Sequence, residues 1–311
     1  MSKILAVFGA TGQQGGSIID YVLNDPELNQ KYKIRAITRD TDSEKAKQLK
    51  KKVEVVHGDV LNPASLETAL TGAHTVFAMT IPSFDPESPE LEYNSGKTIA
   101  DVAVEKGVEY IIFSTLPGVK EISGGKYTKV TPFDQKAKVE HYIRSLHNIK
   151  SAFYSPGYFM ENYEAQPFLA PKKSSDGTWI IARNTSPQTQ SPYLDCVGDS
   201  GKFVGAILAA PDKYEGKTFC AATALYTWTE VAAAMSKAMG KTVVYKQIPL
   251  EEFKKNLPFF PDGYGEVFCY QEEFGYYGPG TGELVAWAVE NARGRLSTLE
   301  EYFERHPLRL V

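Results

Sequence analysis

Three glycines, Gly9, Gly12 and Gly15, stand at equal spacing after the apolar run Ile4–Phe8 and ahead of an amphipathic stretch, Ser17–Leu23. In full the segment reads Gly9-Ala10-Thr11-Gly12-Gln13-Gln14-Gly15. A strand, a glycine turn and a helix in that order can hold the pyrophosphate of a dinucleotide. The first glycine permits the tight turn, the second lets the backbone approach the phosphates, and the third lets helix and strand pack closely. Free N–H groups and partial positive charge at the helix N-terminus complete an anion site. The chemistry implied is hydride transfer with a nicotinamide, or binding of the dinucleotide as a signal.

Further along, the second strand ends Ile34-Arg35-Ala36-Ile37-Thr38-Arg39-Asp40. An acidic residue at this strand end bonds the ribose 2′-OH of NAD; here the position is Thr38, with Arg39 next. A neutral residue leaves room for a 2′-phosphate, and a guanidinium can bond it with two parallel N–H groups. The reading favours NADP(H) over NAD(H), with Asp40 as the alternative ribose ligand. Asp59 can accept from the adenine amino group while Val60 covers the ring; the competing role for Asp59 is to cap the next helix. Met79 and Thr80 run beside the adenine ribose and pyrophosphate, and Ser114-Thr115 points toward the nicotinamide.

A proton donor is harder to find. Short-chain reductases pair a Tyr with a Lys four residues later on one helix face, the lysine lowering the phenol pKa. Where that pair belongs, this chain reads Pro132-Phe133-Asp134-Gln135-Lys136, so Lys136 is present and Pro132 replaces the tyrosine. Lys136 can bind the nicotinamide ribose hydroxyls, or donate a proton if its site lowers its pKa. Tyr93 and Lys97 match the spacing but precede the fifth strand, on the wrong helix. Tyr127, Tyr154 and Tyr158 are candidate substitutes for the missing acid, although such tyrosines more often serve as packing aromatics. Gly198-Asp199-Ser200-Gly201 resembles a serine-protease tetrapeptide but reads as a helix cap. Gly275–Gly282 lacks the Lys-Ser/Thr of a phosphate loop and reads as a flexible pocket rim.

The elements that must position these residues alternate. Strands are predicted at Ile4–Phe8, Lys33–Thr38, Val53–His57, Thr75–Met79, Tyr110–Ser114 and Ser151–Ser155. Helices are predicted at Gly15–Leu23, Ser43–Lys50, Ala64–Leu70, Glu90–Lys106 and Phe133–Leu146. Such alternation implies an α/β fold: a Rossmann, doubly wound parallel sheet with the ligand at the strands' carboxyl ends. After Pro156 the chain becomes proline-broken, with a helix from Ser200 to Ala210 capped by Asp199 or Ser200, and a strand at Thr218–Ala222 joining the sheet edge. Trp228–Met239 reads as a helix ending at Gly240, Phe259–Gly282 as an ordered loop layer, and Leu296–Arg305 as the last helix. The expected division is a dinucleotide-binding domain over 1–156, with returning segments near 193–223, and a smaller C-terminal α/β domain over 157–311 closing over the cofactor cleft.

Composition narrows the function classes. With 311 residues, 42% hydrophobic, 23% charged and a net charge of −4, the chain offers no strong surface for direct nucleic-acid binding. The lysines from Lys45 to Lys52 read as a solvated helix face. Cys196, Cys220 and Cys269 lie far apart without metal spacing, which fits a reducing, cytoplasmic setting. The opening apolar run is too short for a signal peptide, and no stretch is long and apolar enough to span a membrane.

With these motifs the chain resembles the NmrA-like family, atypical members of the short-chain dehydrogenase/reductase superfamily. The resemblance rests on the glycine turn, Thr38-Arg39, Gly58-Asp59-Val60, Ile112-Phe113-Ser114-Thr115 and Phe133-Asp134-Gln135-Lys136. It continues through Pro156-Gly157-Tyr158-Phe159-Met160-Glu161-Asn162 and Thr298-Leu299-Glu300-Glu301-Tyr302. The resemblance implies that Lys136 matches a retained lysine and that Tyr158, Phe159 and Asn162 lie near the nicotinamide. It leaves two functions open. The first is an NADP(H)-binding redox sensor or transcription regulator with a protein partner such as a transcription factor, in the cytoplasm or nucleus. The second is an NADPH-dependent reductase of quinone-type or phenolic molecules that uses Lys136.

Overall fold

A computed structural model describes residues 2–84 and 87–308. The first half alternates as its sequence pattern requires. It runs β1 (Lys3–Val7), α1 (Gln13–Asn24), α2 (Leu28–Lys31), β2 (Tyr32–Thr38), α3 (Glu44–Leu49), β3 (Glu54–His57) and α4 (Pro63–Leu70). There follow β4 (Thr75–Ala78), α5 (Leu91–Glu105), β5 (Tyr110–Ser114), α6 (Val119–Ile122), α7 (Thr131–Arg144) and β6 (Lys150–Pro156).

The second half is richer than its prolines suggest. It contains β7 (Tyr158–Phe159), α8 (Asn162–Ala165), β8 (Lys172–Lys173), β9 (Trp179–Arg183), β10 (Gln190–Leu194) and α9 (Cys196–Ala209). Next come α10 (Pro211–Tyr214), β11 (Thr218–Ala221), β12 (Ala224–Thr227), α11 (Trp228–Met239) and β13 (Val243–Gln247). The chain closes with α12 (Leu250–Lys255), α13 (Pro261–Phe274), α14 (Thr281–Asn291) and α15 (Leu299–Arg305).

Seven parallel strands form the main sheet in the order β11-β6-β5-β4-β1-β2-β3. Every residue of β4 and β5 is buried, as expected of central strands covered on both faces. Side chains alternate across the sheet: Leu5, Val7, Phe77 and Ile112 pack on the face of α1 and α9, whereas Ala6, Phe8, Val76, Ile111 and Phe113 pack with Ile99 of α5 and Val139 of α7. On the first face α1 and α9 approach closely, because a Cβ on Gly201 or Gly205 would lie 2.3 Å from Tyr21. Two smaller three-stranded sheets, β12-β10-β7 and β13-β9-β8, surround a separate aromatic core built on Trp179, Tyr193, Trp228, Phe253, Phe268 and Phe303.

Several expectations are corrected here. Helix α9 starts at Cys196, not Ser200, and its cap is Asp195, whose carboxylate accepts from Gly198 N at 2.7 Å. Asp199 and Ser200 are therefore buried first-turn residues rather than caps. Phe259–Gly282 is not a loop layer: most of it is α13, preceded by the left-handed Phe260 and started by Pro261. Glycines hid this helix from the sequence, yet they serve packing: a Cβ on Gly263 would fall 1.9 Å from the Phe260 ring. Gly275–Gly282 is the turn into α14, tied by the Thr281 hydroxyl to Gly278 O at 2.7 Å. The last helix begins at Leu299 because Thr298 and Glu301 form a capping box. Helix α11 occupies Trp228–Met239 and stops at Gly240, whose φ of 60° suits glycine. Among the described residues no helix is long and apolar enough to cross a membrane.

Candidate functional site

Two adjoining hollows open at the carboxyl ends of the strands, beside the point where the strand order reverses between β1 and β4. The larger is a cleft of about 820 Å³ lined by the glycine turn, the ends of β2 and β3 and the segment after β4. The smaller is a chamber of about 380 Å³ between the ends of β5 and β6, α7 and α13. Gln14, Met79, Thr80, Pro82, Phe84 and Phe159 line both.

The turn is built as its glycines require. Gly9 has φ of 63°, and a Cβ there would meet the Met79 sulfur at 2.4 Å. Gly12 N donates to Gly9 O at 2.9 Å, and Gly12 leads into α1 with no side chain capping the helix. The first-turn N–H groups are thus left for a ligand. Gly9, Thr11, Gly12, Gln13 and Gln14 all line the cleft. Gly15 is buried behind it, where a Cβ would lie 2.3 Å from Gly9 O.

Thr38, Arg39, Asp59 and Val60 line the far end of the cleft. The exposed Arg39 guanidinium has no hydrogen bond or ion pair among the described residues. Asp40 is turned inward on its own loop, its Oδ1 accepting from Asp42 N at 2.9 Å and Ser43 N at 3.1 Å. Asp59 Oδ1 accepts from Leu61 N at 3.0 Å, so it closes its own turn rather than capping α4, whose N-cap is Asn62. Lys45, expected on a solvated helix face, reaches the turn with its Nζ 3.4 Å from Thr11 O.

At the inner end, Ser114 donates to Gln14 Oε1 at 2.7 Å. Lys136, from α7, is only 7% exposed, and Glu92, from α5, is 1% exposed. Lys136 Nζ donates to Thr80 O at 2.9 Å, Thr80 Oγ1 at 2.8 Å and Glu92 Oε1 at 2.5 Å. The Thr80 hydroxyl in turn donates to Glu92 Oε1 at 2.8 Å. Burial pushes the lysine below its ordinary value, and the Glu92 carboxylate opposes that push. No local pattern could reveal Glu92: it lies 44 residues away on another helix.

The chamber is largely aromatic. Tyr158, Phe159, Phe133, Tyr264, Phe268 and Tyr276 form its walls, and Phe84 meets Phe260 edge-on over the mouth at 4.9 Å. Along one side Tyr264 donates to Gln166 at 2.6 Å and Gln166 to Asn162 at 3.4 Å. Burial pushes the Tyr264 phenol up to about 12. Of the three tyrosines considered as acids, only Tyr158 lines the chamber. Its hydroxyl is buried without a hydrogen-bond partner among the described residues, and burial raises its pKa. Tyr154 is sealed in the core, its hydroxyl paired with Ser200 at 2.7 Å, and Tyr127 donates to Glu273 at 2.9 Å. Tyr93 and Lys97 do not work as a pair: Lys138 lies 4.1 Å over the Tyr93 ring, and Lys97 binds Asp101 at 2.6 Å.

Comparisons with known proteins bear on the family and the fold. The model of the NmrA-like family matches residues 1–303. An NmrA-like family domain-containing protein of Dictyostelium discoideum is 30% identical, over 98% of each chain. Among solved structures, NmrA, a negative transcriptional regulator crystallised with NADP, superposes with a TM-score of 0.79 at 23% identity, covering 99% of this chain and 98% of that one. The Citrobacter sp. triphenylmethane reductase complexed with NADP(H) gives a TM-score of 0.75 at 21% identity, covering 99% and 100%.

Proposed function

The chain belongs to the NmrA-like family, and we propose that within it this protein is an NADP(H)-dependent reductase of a flat, apolar, aromatic or conjugated small molecule. The observation that carries this reading is the aromatic chamber beside the cleft, which a protein that only bound a dinucleotide would not need. The cleft fits the dinucleotide: an uncapped helix start faces the pyrophosphate position, and Gly9 and Gly15 leave no room for side chains. The unpaired Arg39 and the self-occupied Asp40 favour the 2′-phosphate over a free ribose hydroxyl. Proteins of the same fold are crystallised with NADP or NADP(H), and NmrA with NAD as well, which supports dinucleotide binding here.

When bound, the reduced dinucleotide supplies a hydride. The chain's part is to bind, to orient and to manage charge. Gln14 and Ser114 fix the passage between cleft and chamber. Lys136 places positive charge behind Thr80, where it can offset negative charge developing on a reduced substrate. Tyr158 forms part of the chamber wall, with its hydroxyl buried away from the open space. Oxidation of NADPH with a panel of quinones, enones and triaryl dyes tests the reading. Turnover that Lys136→Ala lowers at least ~10-fold is expected; no turnover with any acceptor overturns it.

A second reading, an NADP(H)-binding redox sensor that regulates a partner protein, is favoured by two observations. Pro132 stands where a catalytic tyrosine would, and all three Lys136 donors are engaged within the protein. Sensing needs surfaces that differ between cofactor states. NADPH and NADP+ should then protect different surface segments from hydrogen exchange; identical maps would exclude it.

A further inference from the structure

We propose that Glu92 is a positioning residue of this site, holding Lys136 as a fixed cation beneath Thr80 at the wall shared by cleft and chamber. The inference deepens the proposed function and rests on that reading for its bearing on chemistry, but not for its geometry. An ammonium has three hydrogens, and here all are spent on Thr80 O, Thr80 Oγ1 and Glu92 Oε1. No donor remains for ribose or substrate, so Lys136 acts through its field and through Thr80, whose hydroxyl it orients toward Glu92. Because both charges are buried, solvent and salt screen that field little.

Among the described residues, the hydrogen bonds of the Glu92 carboxylate are confined to Lys136 and Thr80. Its second oxygen, Oε2, is buried with no hydrogen-bond partner among the described residues. A carboxylate kept in that state costs free energy, which an ordinary surface ion pair would avoid. Nearby charges are turned elsewhere: Glu90 pairs with Lys138, Asp101 with Lys97 and Tyr142, and Asp134 accepts from Lys120 N at 2.9 Å. From the chamber, the facing phenols are Tyr158, Tyr264 and Tyr276, all raised by burial and so neutral at neutral pH. Glu92 is thus the group that keeps a buried lysine charged. Without it, burial alone would drive the amine toward its neutral form.

The test is the titration of Lys136 by NMR in full-length protein carrying [ε-13C]lysine and stripped of nucleotide, with Lys136→Arg identifying the resonance. In Glu92→Gln, which keeps the shape and one acceptor, the Lys136 midpoint should fall by about one pH unit or more, a ~10-fold change in proton affinity. An unchanged midpoint overturns the proposal. So does a rise toward the ordinary lysine value, since that means the amine has swung to solvent and Glu92 was only a structural tether. If Glu92→Gln does not fold, the unsubstituted protein decides: an ordinary, solvent-averaged Lys136 resonance overturns the proposal, and a single shifted resonance below the ordinary midpoint supports it. Calorimetric NADPH binding by the unsubstituted protein is measured alongside. Its failure would remove the dinucleotide reading and leave the titration standing, so the two outcomes are separable.

Discussion

Ser114, the last residue of β5, donates its hydroxyl to the side-chain carbonyl of Gln14, in the first turn of α1, across 2.7 Å. The bond ties the end of one central strand to the helix whose N-terminus faces the cleft, and it anchors Gln14 where that residue lines both cleft and chamber. Ser114→Ala removes about 1 kcal/mol of hydrogen bonding. Calorimetry should show NADPH affinity about fivefold weaker, with the fold retained; equal affinity would show that Gln14 needs no anchor.

Arg39→Ala should weaken NADPH binding about 10- to 100-fold, the worth of charge-assisted hydrogen bonds to a phosphate. NADH binding should stay nearly constant, because the guanidinium has no other partner among the described residues. Parallel titrations decide the matter, and equal losses for both dinucleotides would remove Arg39 from the discrimination.

Gly15→Ala and Gly16→Ala differ by one position and should differ sharply in effect. A Cβ at 15 would sit 2.3 Å from Gly9 O, whereas one at 16 meets Ala10 O at an ordinary 3.8 Å. The first should cost about 1–3 kcal/mol of stability by overpacking and distort the turn enough to lose dinucleotide binding. The second should be tolerated or mildly stabilising, as alanine suits a helix interior. Chemical denaturation of both variants provides the comparison.

Phe260 combines a backbone φ of 50° with a ring over the chamber mouth. Phe260→Gly releases about 1 kcal/mol of left-handed strain but removes the ring that meets Phe84. Stability should change little, while KM for an aromatic acceptor rises several-fold and NADPH affinity holds. A loss of NADPH affinity equal to that of acceptor would contradict the division between cleft and chamber.

Asp25 offers a pH signature away from the site. A side-chain hydrogen bond from Arg293 at 2.8 Å is the largest influence holding its carboxyl below the ordinary value, with backbone N–H groups of Leu28 and Glu27 adding to it. A lowered folded-state pKa adds stability above the unfolded value, and that stability is lost as pH falls through the folded one. Arg293→Met should therefore destabilise at pH 7 by roughly 1 kcal/mol, with the gap to the parent shrinking below about pH 4. A gap independent of pH would assign the loss to packing.

Much of this was readable from sequence where the signal was local. The glycine turn, the strand ends at Thr38, Asp59, Met79 and Ser114, and the six leading strands obey short-range rules of periodicity and turn chemistry. The stretch Trp228–Met239 with its stop at Gly240 made α11 equally legible, and the structure adds the Thr227 capping box at its start. Long-range pairing was not legible. Glu92 carries no mark on α5 that points to Lys136, and α13 is disguised by two glycines that serve close packing instead of breaking the helix. The short ladders of the smaller sheets were hidden for a similar reason: β7 meets β10 only at Tyr193 and Leu194, leaving Pro192 beyond that contact.

The main sheet is closed by a strand that arrives late. β11 pairs in parallel with β6 after some sixty residues spent elsewhere (Thr218 against Phe153, Ala221 against Pro156), and α9 on that detour is the helix packed against α1. A fragment ending at Pro156 would therefore have an open sheet edge and a first helix bared along Tyr21. Such an architecture cannot be exchanged as a free-standing nucleotide-binding cassette. Whatever the C-terminal residues have come to recognise, they had to change while remaining a permanent structural part of the machinery that grips the dinucleotide.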